Sequence, residues 1–90
     1  MFVSVCTDLA NADHEEAVSS LLIQYGFVRV QKNLYEHTGL NETALKRLKY
    51  DMDKNTDSYD VMRIYQYPFE GTLVITALKG KKWRKLVARA

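Results

Sequence analysis

The spacing of the apolar residues changes between a period of two and a helical period, and this change constrains the fold more than any other sequence feature. Residues 2–8 alternate, with Val3 and Val5 on one side of the extended chain and Cys6 and Asp8 on the other. The alternation predicts a strand with two different faces that ends near Asp8.

Two stretches have helical spacing and recognisable caps. The first covers about residues 12–25 and takes Asn11 or Asp13 as its N-cap. The second begins after the N-cap Asn41 and continues through about Asp53. Each carries a single apolar seam, which predicts two helices that pack on one surface.

The remaining segments return to a period of two. Residues 27–37 are long enough for two short strands with a turn at Lys32-Asn33 or for one bent strand, and the sequence leaves both open. Residues 59–67 and 72–78 predict two more strands. The order predicts an α+β fold, most simply a ferredoxin-like βαββαβ sandwich with an extra C-terminal strand.

Composition indicates one small globular domain. The chain has 90 residues, of which 47% are apolar and 27% are charged. We expect a ferredoxin-like domain over residues 1–78 and a basic C-terminal tail over residues 79–90. No apolar run approaches the roughly 18 residues that cross a bilayer, so no membrane partner is expected. A single cysteine excludes a disulfide framework and favours a cytoplasmic location.

The two halves of the chain carry opposite net charges. Residues 1–44 hold two Lys and Arg against six Asp and Glu, a net charge of −4. Residues 45–90 hold eleven against five, a net charge of +6. Such a basic segment favours a polyanionic partner, although a solvated terminus has the same composition, and both interpretations stay open.

Two helices can cover only one face of the predicted sheet. The other face would expose Phe2, Cys6 and some of the tyrosines. An uncovered and partly apolar sheet face usually marks a partner surface. We therefore expect a homodimer, which is the commonest small assembly.

Asp8 is the first candidate for chemistry, because it ends the opening strand just before a loop and a helix start. Magnesium is held by one or two carboxylates together with waters and substrate phosphates. A two-fold axis beside Asp8 would supply the second carboxylate, and the Mg²⁺ or other divalent cation would activate a water against a phosphodiester. The alternative is that Asp8 only caps the loop of residues 9–12.

Arg29, Lys32 and Tyr35 form a second candidate group. Basic residues interleaved with an aromatic suit phosphate contact and base stacking on a nucleic acid. The alternative is a pair of solvated strand positions beside a packing tyrosine.

Three segments resemble a known family. They are residues 3–9 (VSVCTDL), residues 25–36 (YGFVRVQKNLYE) and residues 60–65 (DVMRIY). With their spacing they resemble the small CRISPR-associated endonuclease of the spacer-acquisition module. That family has Tyr-Asp-Ile at the end of its first strand and a YGF-x-RVQ segment after its first helix. The likeness covers about residues 1–78.

The resemblance implies a homodimer in which Asp8 of both chains flanks a divalent metal. It also implies a metal-dependent nuclease on RNA or DNA, and a bridge between copies of the CRISPR integrase that holds duplex DNA. Arg29 and Tyr35 would belong to the surrounding substrate or structural region. We expect the basic tail to contact duplex DNA through four residues, Lys81, Lys82, Arg84 and Lys85.

The sequence departs from the family pattern near the expected site. Thr7 stands where the family has a tyrosine, and Glu15 and Ala17 stand where some members have basic residues. Lost positive charge weakens the case for nuclease turnover more than the case for the fold. Three alternatives stay open: a non-catalytic nucleic-acid-binding dimer, a toxin-type ribonuclease related to virulence-associated protein D, and a small-molecule regulatory domain of the same general fold.

Overall fold

The computed structural model describes residues 1–89 and confirms the α+β fold class. Both helices lie within one residue of the predicted bounds, and residues 27–37 form two strands with a turn at Lys32-Asn33. In chain order the elements are β1 (Phe2–Asp8), α1 (Ala12–Gln24), β2 (Val28–Gln31), β3 (Leu34–His37), α2 (Glu42–Lys54), β4 (Val61–Tyr67), β5 (Thr72–Lys79) and β6 (Lys82–Arg89).

The six strands form one antiparallel sheet in the order β2-β3-β1-β4-β5-β6. In the first four strands β3 lies between β1 and β2, and β1 lies between β3 and β4. This is the split βαβ order of a ferredoxin-like fold. β5 is the predicted extra strand, and β6 pairs with it along its whole length within the segment expected to form a basic tail.

Both helices pack on one face of the sheet, and the core lies between these two layers. The helices bury Val18 and Leu22 from α1 and three residues from α2, which are Leu45, Leu48 and Met52. The sheet contributes the alternate residues that face them, among them Val3, Val5, Met62, Ile64 and Leu78. The period of two in the strands therefore sets which side chains remain on the opposite, open face.

The helix ends follow the predicted capping chemistry. The Asn11 side chain accepts a hydrogen bond from the His14 amide at 2.9 Å, and the Asn41 side chain accepts one from the Ala44 amide at 2.7 Å. Gly26 follows α1 with a φ of 91°, a left-handed conformation that glycine adopts without strain. The two N-caps therefore set where the chain passes from β1 into α1 and from β3 into α2.

The turn between β5 and β6 has two residues, and both have positive φ, 59° at Gly80 and 60° at Lys81. This is the requirement of a type I′ hairpin turn. Lys81 is an unusual residue for such a position, and its ammonium group donates to the carbonyl oxygens of Asp53 and Thr56 at the end of α2. The contact ties the β5–β6 hairpin to the helix layer.

Candidate functional site

Asp8 lies at the end of the central strand β1, exposed on the open face of the sheet. Its position follows from the alternation of the strand. Val3, Val5 and Thr7 face the helices, so Asp8 points to the other side. The carboxylate therefore stands at the rim of a face that neither helix covers.

A row of cross-strand partners runs from Asp8 towards the basic edge of the sheet. Asp8 pairs with Val61, Val61 with Lys79, and Lys79 with Lys82. Strands lie about 4.8 Å apart, so the two lysine backbones are roughly 10 and 14 Å from Asp8. The row places two positive charges on the same face as the carboxylate.

The next row along the strands adds two arginines. Cys6 pairs with Arg63, Arg63 with Ala77, and Ala77 with Arg84. The guanidinium of Arg63 donates to the Tyr65 hydroxyl at 3.2 Å. Four cations therefore lie on the open face between Asp8 and the β6 edge of the sheet, a charge pattern that suits a polyanion.

The other end of the open face is apolar. The rings of Phe2 and Tyr67 lie 5.8 Å apart, and Ile75 pairs across the strands with Leu86, which is 61% exposed. Phe2 and Cys6 lie on this open face, as expected from the sequence. The open face therefore has a charged end at Asp8 and an apolar end whose exposure to water is unfavourable.

The structure places Arg29, Lys32 and Tyr35 in the β2–β3 hairpin, whose turn lies beside the end of β1, where the Thr7 amide donates to the Asn33 carbonyl oxygen at 2.9 Å. Tyr35 faces the helices, is only 3% exposed and donates its hydroxyl to Ser19 at 2.9 Å. Its ring offers no free face for a base. The Arg29 guanidinium lies over this ring and donates to the Lys32 carbonyl oxygen at 2.7 and 2.9 Å.

The four basic residues of the expected tail lie in three different places in the structure. Lys82 and Arg84 lie on the open face with Asp8, because they pair with Lys79 and Ala77. Lys85 lies on the helix side, paired with Thr76. Lys81 is in the turn against α2. Only the first two therefore join the cations around Asp8.

Sequence reasoning missed a polar cluster beneath the site. The fully buried Asp60 accepts hydrogen bonds from the Ala10 amide at 2.7 Å, the Asp57 amide at 2.8 Å and His14 Nδ1 at 2.7 Å. Burial raises the pKa of the Asp60 carboxyl, but these hydrogen bonds outweigh it and hold the pKa below its ordinary value. Asp60 thereby fixes the loop that follows Asp8.

Among residues 1–89, His14, Asp57 and Asp60 are the group whose ligand atoms lie close enough together to hold a metal ion. Both Asp60 oxygens are already engaged by the hydrogen bonds described above. A cation would displace at least one of them. The cluster is therefore explained as a structural link between two loops, and Asp8 lies outside it on the opposite side of the sheet.

The fold and the site define a class of protein: a small ferredoxin-like domain with an exposed carboxylate at the end of β1 and a set of cations on the same uncovered sheet face. The sequence model of the family described as CRISPR associated protein Cas2 matches residues 1–85. The chain therefore belongs to this family and is a CRISPR adaptation protein, which confirms the resemblance. Comparisons with curated proteins and with solved structures give no match. Among residues 1–89 no helix is long and apolar enough to span a membrane.

Proposed function

We propose that this adaptation protein is a homodimeric, divalent-metal-dependent endonuclease that also binds duplex DNA and bridges copies of the CRISPR integrase. The observation that carries the proposal is the position of Asp8, exposed on the open face at the end of β1 and followed by a row of cations. A carboxylate and positive charges at one rim suit a metal ion and a phosphodiester together.

The apolar end of the open face supports the homodimer. Contact between two copies would bury Leu86 and the Phe2–Tyr67 pair, which water solvates poorly. A two-fold axis near the other end would bring the two Asp8 carboxylates together. Leu86→Glu should therefore shift the chain from dimer to monomer in analytical ultracentrifugation. Ile23→Glu, at an exposed apolar position on α1, should leave the dimer intact.

The donor set at Asp8 fits a magnesium ion. Asp8 supplies one exposed carboxylate per chain, and Mg²⁺ is typically held by one or two carboxylates while it keeps several waters. A bound cation would activate water and neutralise the charge that develops on phosphorus. The chain's own contribution is to orient the scissile phosphate, with Lys79 nearest in the row and Arg63 beside it.

The nuclease proposal is tested by Asp8→Asn, which keeps the shape and removes the charge. Wild-type protein is incubated with RNA and with duplex DNA, in Mg²⁺ and in chelator. We expect cleavage only with the metal and its loss in Asp8→Asn, whereas the matched Asp13→Asn in the first turn of α1 retains it. Cleavage that persists in both Asp8→Asn and chelator would refute the role of Asp8.

A non-catalytic scaffold is the second candidate, and the charge around α1 favours it. Glu15 and Glu16 line the same groove as Arg29 and Lys32, so the acids offset positive charge there. In this case Asp8→Asn and wild type would co-elute equally with the integrase and duplex DNA, and neither would cleave. The family match over residues 1–85 favours both of these functions over a toxin-type ribonuclease.

Duplex binding gives a separate prediction for the open face. Each phosphate contact contributes about 0.9 to the salt slope of the binding constant on duplex DNA. Lys82→Ala with Arg84→Ala should reduce that slope by about 2, because both residues lie on the open face with Asp8. Lys81→Ala should leave it unchanged, since that ammonium is engaged with α2. Equal slopes in all three proteins would exclude the open-face contact.

A further inference from the structure

A second groove, of about 350 Å³, lies between α2 and β6 on the side of the sheet opposite Asp8. Its lining includes an aromatic residue, a buried hydroxyl and two lysines that come from different elements. The residues that carry the argument are Lys49, Thr76, Trp83 and Lys85. None of them takes part in the site proposed around Asp8.

Trp83 gives the groove a flat apolar wall. It is the single tryptophan of the chain, and it pairs across the strands with the buried Leu78. Its indole packs partly against the core and leaves the rest in the groove. A fixed and partly exposed indole is a stacking surface for a planar ring.

The hydroxyl of Thr76 marks the floor. Thr76 is 4% exposed, and its Oγ1 atom is buried with no hydrogen-bond partner among the described residues. A buried polar group without a hydrogen-bond partner destabilises the folded state by about 1–3 kcal/mol, so such groups are rare in native proteins and need an explanation. Because Thr76 also lines the groove, rotation of its side chain about χ1 would present Oγ1 to a polar atom of a bound molecule.

Two positive charges converge above Thr76. Lys85 on β6 pairs with Thr76, and Lys49 lines the same groove from α2. Burial, and then the charge of Lys85, lower the pKa of Lys49. Asp53 also lines the groove, but its carboxylate lies 3.3 Å from the Lys81 ammonium. An anion between the two lysines would relieve their mutual repulsion.

We propose that this groove binds a nucleotide unit, with the base against Trp83, the phosphate between Lys49 and Lys85, and the Thr76 hydroxyl bonded to the base or sugar. An aromatic wall, a pair of cations and a buried hydroxyl match the three parts of a nucleotide. The unit has two possible sources, a free mononucleotide or an unpaired nucleotide of a strand. The proposal is independent of whether Asp8 supports hydrolysis.

The single tryptophan provides the assay. Adenosine monophosphate, adenosine, inorganic phosphate and a short oligodeoxyadenylate strand are each titrated into the full-length chain, with free N-acetyltryptophanamide as the inner-filter control. We expect the monophosphate to quench Trp83 fluorescence and adenosine to do so with at least tenfold weaker affinity. Tighter binding of the strand would identify a strand as the source, and equal binding a free nucleotide.

Variants then locate the bound molecule. Lys49→Ala with Lys85→Ala should weaken quenching by the monophosphate about tenfold or more, whereas Lys46→Ala with Arg47→Ala, the same charge change on α2, should not. Thr76→Val keeps the shape and should weaken binding without unfolding the chain, as circular dichroism would verify. The Asp8→Asn variant should bind like the wild type.

Three results would overturn the proposal. They are absence of quenching by both the monophosphate and the strand, quenching that survives loss of both lysines, and binding of an acidic peptide in preference to either nucleotide probe. Failure here leaves the Asp8 proposal untouched, because that proposal is read from cleavage and from Asp8→Asn.

Discussion

Asp60→Asn is the sharpest test of how the Asp8 loop is held. Asparagine has the same shape but only one acceptor oxygen, whereas Asp60 accepts from the Ala10 amide, the Asp57 amide and His14. At least one of the two partly buried backbone N–H groups therefore loses its acceptor, and the remaining bonds lose their charge. We expect a loss of about 2–4 kcal/mol in the free energy of unfolding. This is a large share of the about 5–15 kcal/mol by which native proteins are stable.

The pH dependence of this loss has a definite sign. The folded-state pKa of Asp60 lies below its ordinary value of 3.8, so its stabilisation is present above that value and is lost as the pH falls through the folded pKa. The difference between the free energies of unfolding of wild type and Asp60→Asn, measured with urea, should therefore be constant above about pH 5. It should shrink below about pH 4. Glu70→Gln, at an exposed acid in the β4–β5 turn, is the control.

Hydrogen exchange separates a local from a global effect. The Ala10 and Asp57 amides should exchange faster in Asp60→Asn even where the protein remains folded, because their acceptor is weakened. A stability difference below about 0.5 kcal/mol would refute this account of the cluster. So would a difference that does not shrink on acidification.

Two further predictions concern the links between layers, and both are measured by urea unfolding. Tyr25→Phe removes the 2.7 Å hydrogen bond to Asp51 and should cost about 0.5–1 kcal/mol at neutral pH, whereas Tyr59→Phe, at an 80% exposed position, should cost nothing. The hydrogen bond to Asp51 raises the pKa of Tyr25, so its contribution to stability is present below pH 10 and disappears as the pH rises through the raised pKa. If Tyr25→Phe destabilised the protein equally above the raised pKa, this account of the hydrogen bond would be contradicted. Lys81→Ala should destabilise by about 0.5–1 kcal/mol through its lost contact with α2. Lys81→Gly should be more stable than Lys81→Ala by about 1 kcal/mol, because glycine accepts the positive φ, and equal stabilities would exclude that strain.

Local periodicity was sufficient to predict β1 and both helices, because each carries its pattern within one segment. The same reasoning could not find β6. Charges on Lys82 and Arg84 face one side, and those on Lys85 and Arg89 face the other, so the segment does not alternate in polarity. Pairing with β5 stabilises this strand, and pairing is not visible in a local pattern.

The candidate site was predictable only where one strand determined it. Asp8 follows from the alternation of β1 alone. The orientation of Tyr35 cannot be predicted from its own strand, because the face of the sheet on which its side chain lies depends on pairing with the buried Val5. Asp60 and His14 are 46 residues apart, and their hydrogen bond exists only once α1 lies beside the start of β4. Long-range geometry, rather than residue type, decided these outcomes.

The alternation of β6 also separates the two surfaces proposed for nucleic acid. Neighbouring residues of a strand point to opposite faces, so Lys82 lies with Asp8 and Lys85 lies in the groove beside Trp83. Lys82→Ala should reduce the salt slope of duplex binding by about 1 and leave quenching by adenosine monophosphate unchanged. Lys85→Ala should do the reverse, as measured by fluorescence and by binding at two salt concentrations. Because the two substitutions remove the same charge from one strand, parallel losses in both assays would mean that only net charge matters and that neither surface is specific.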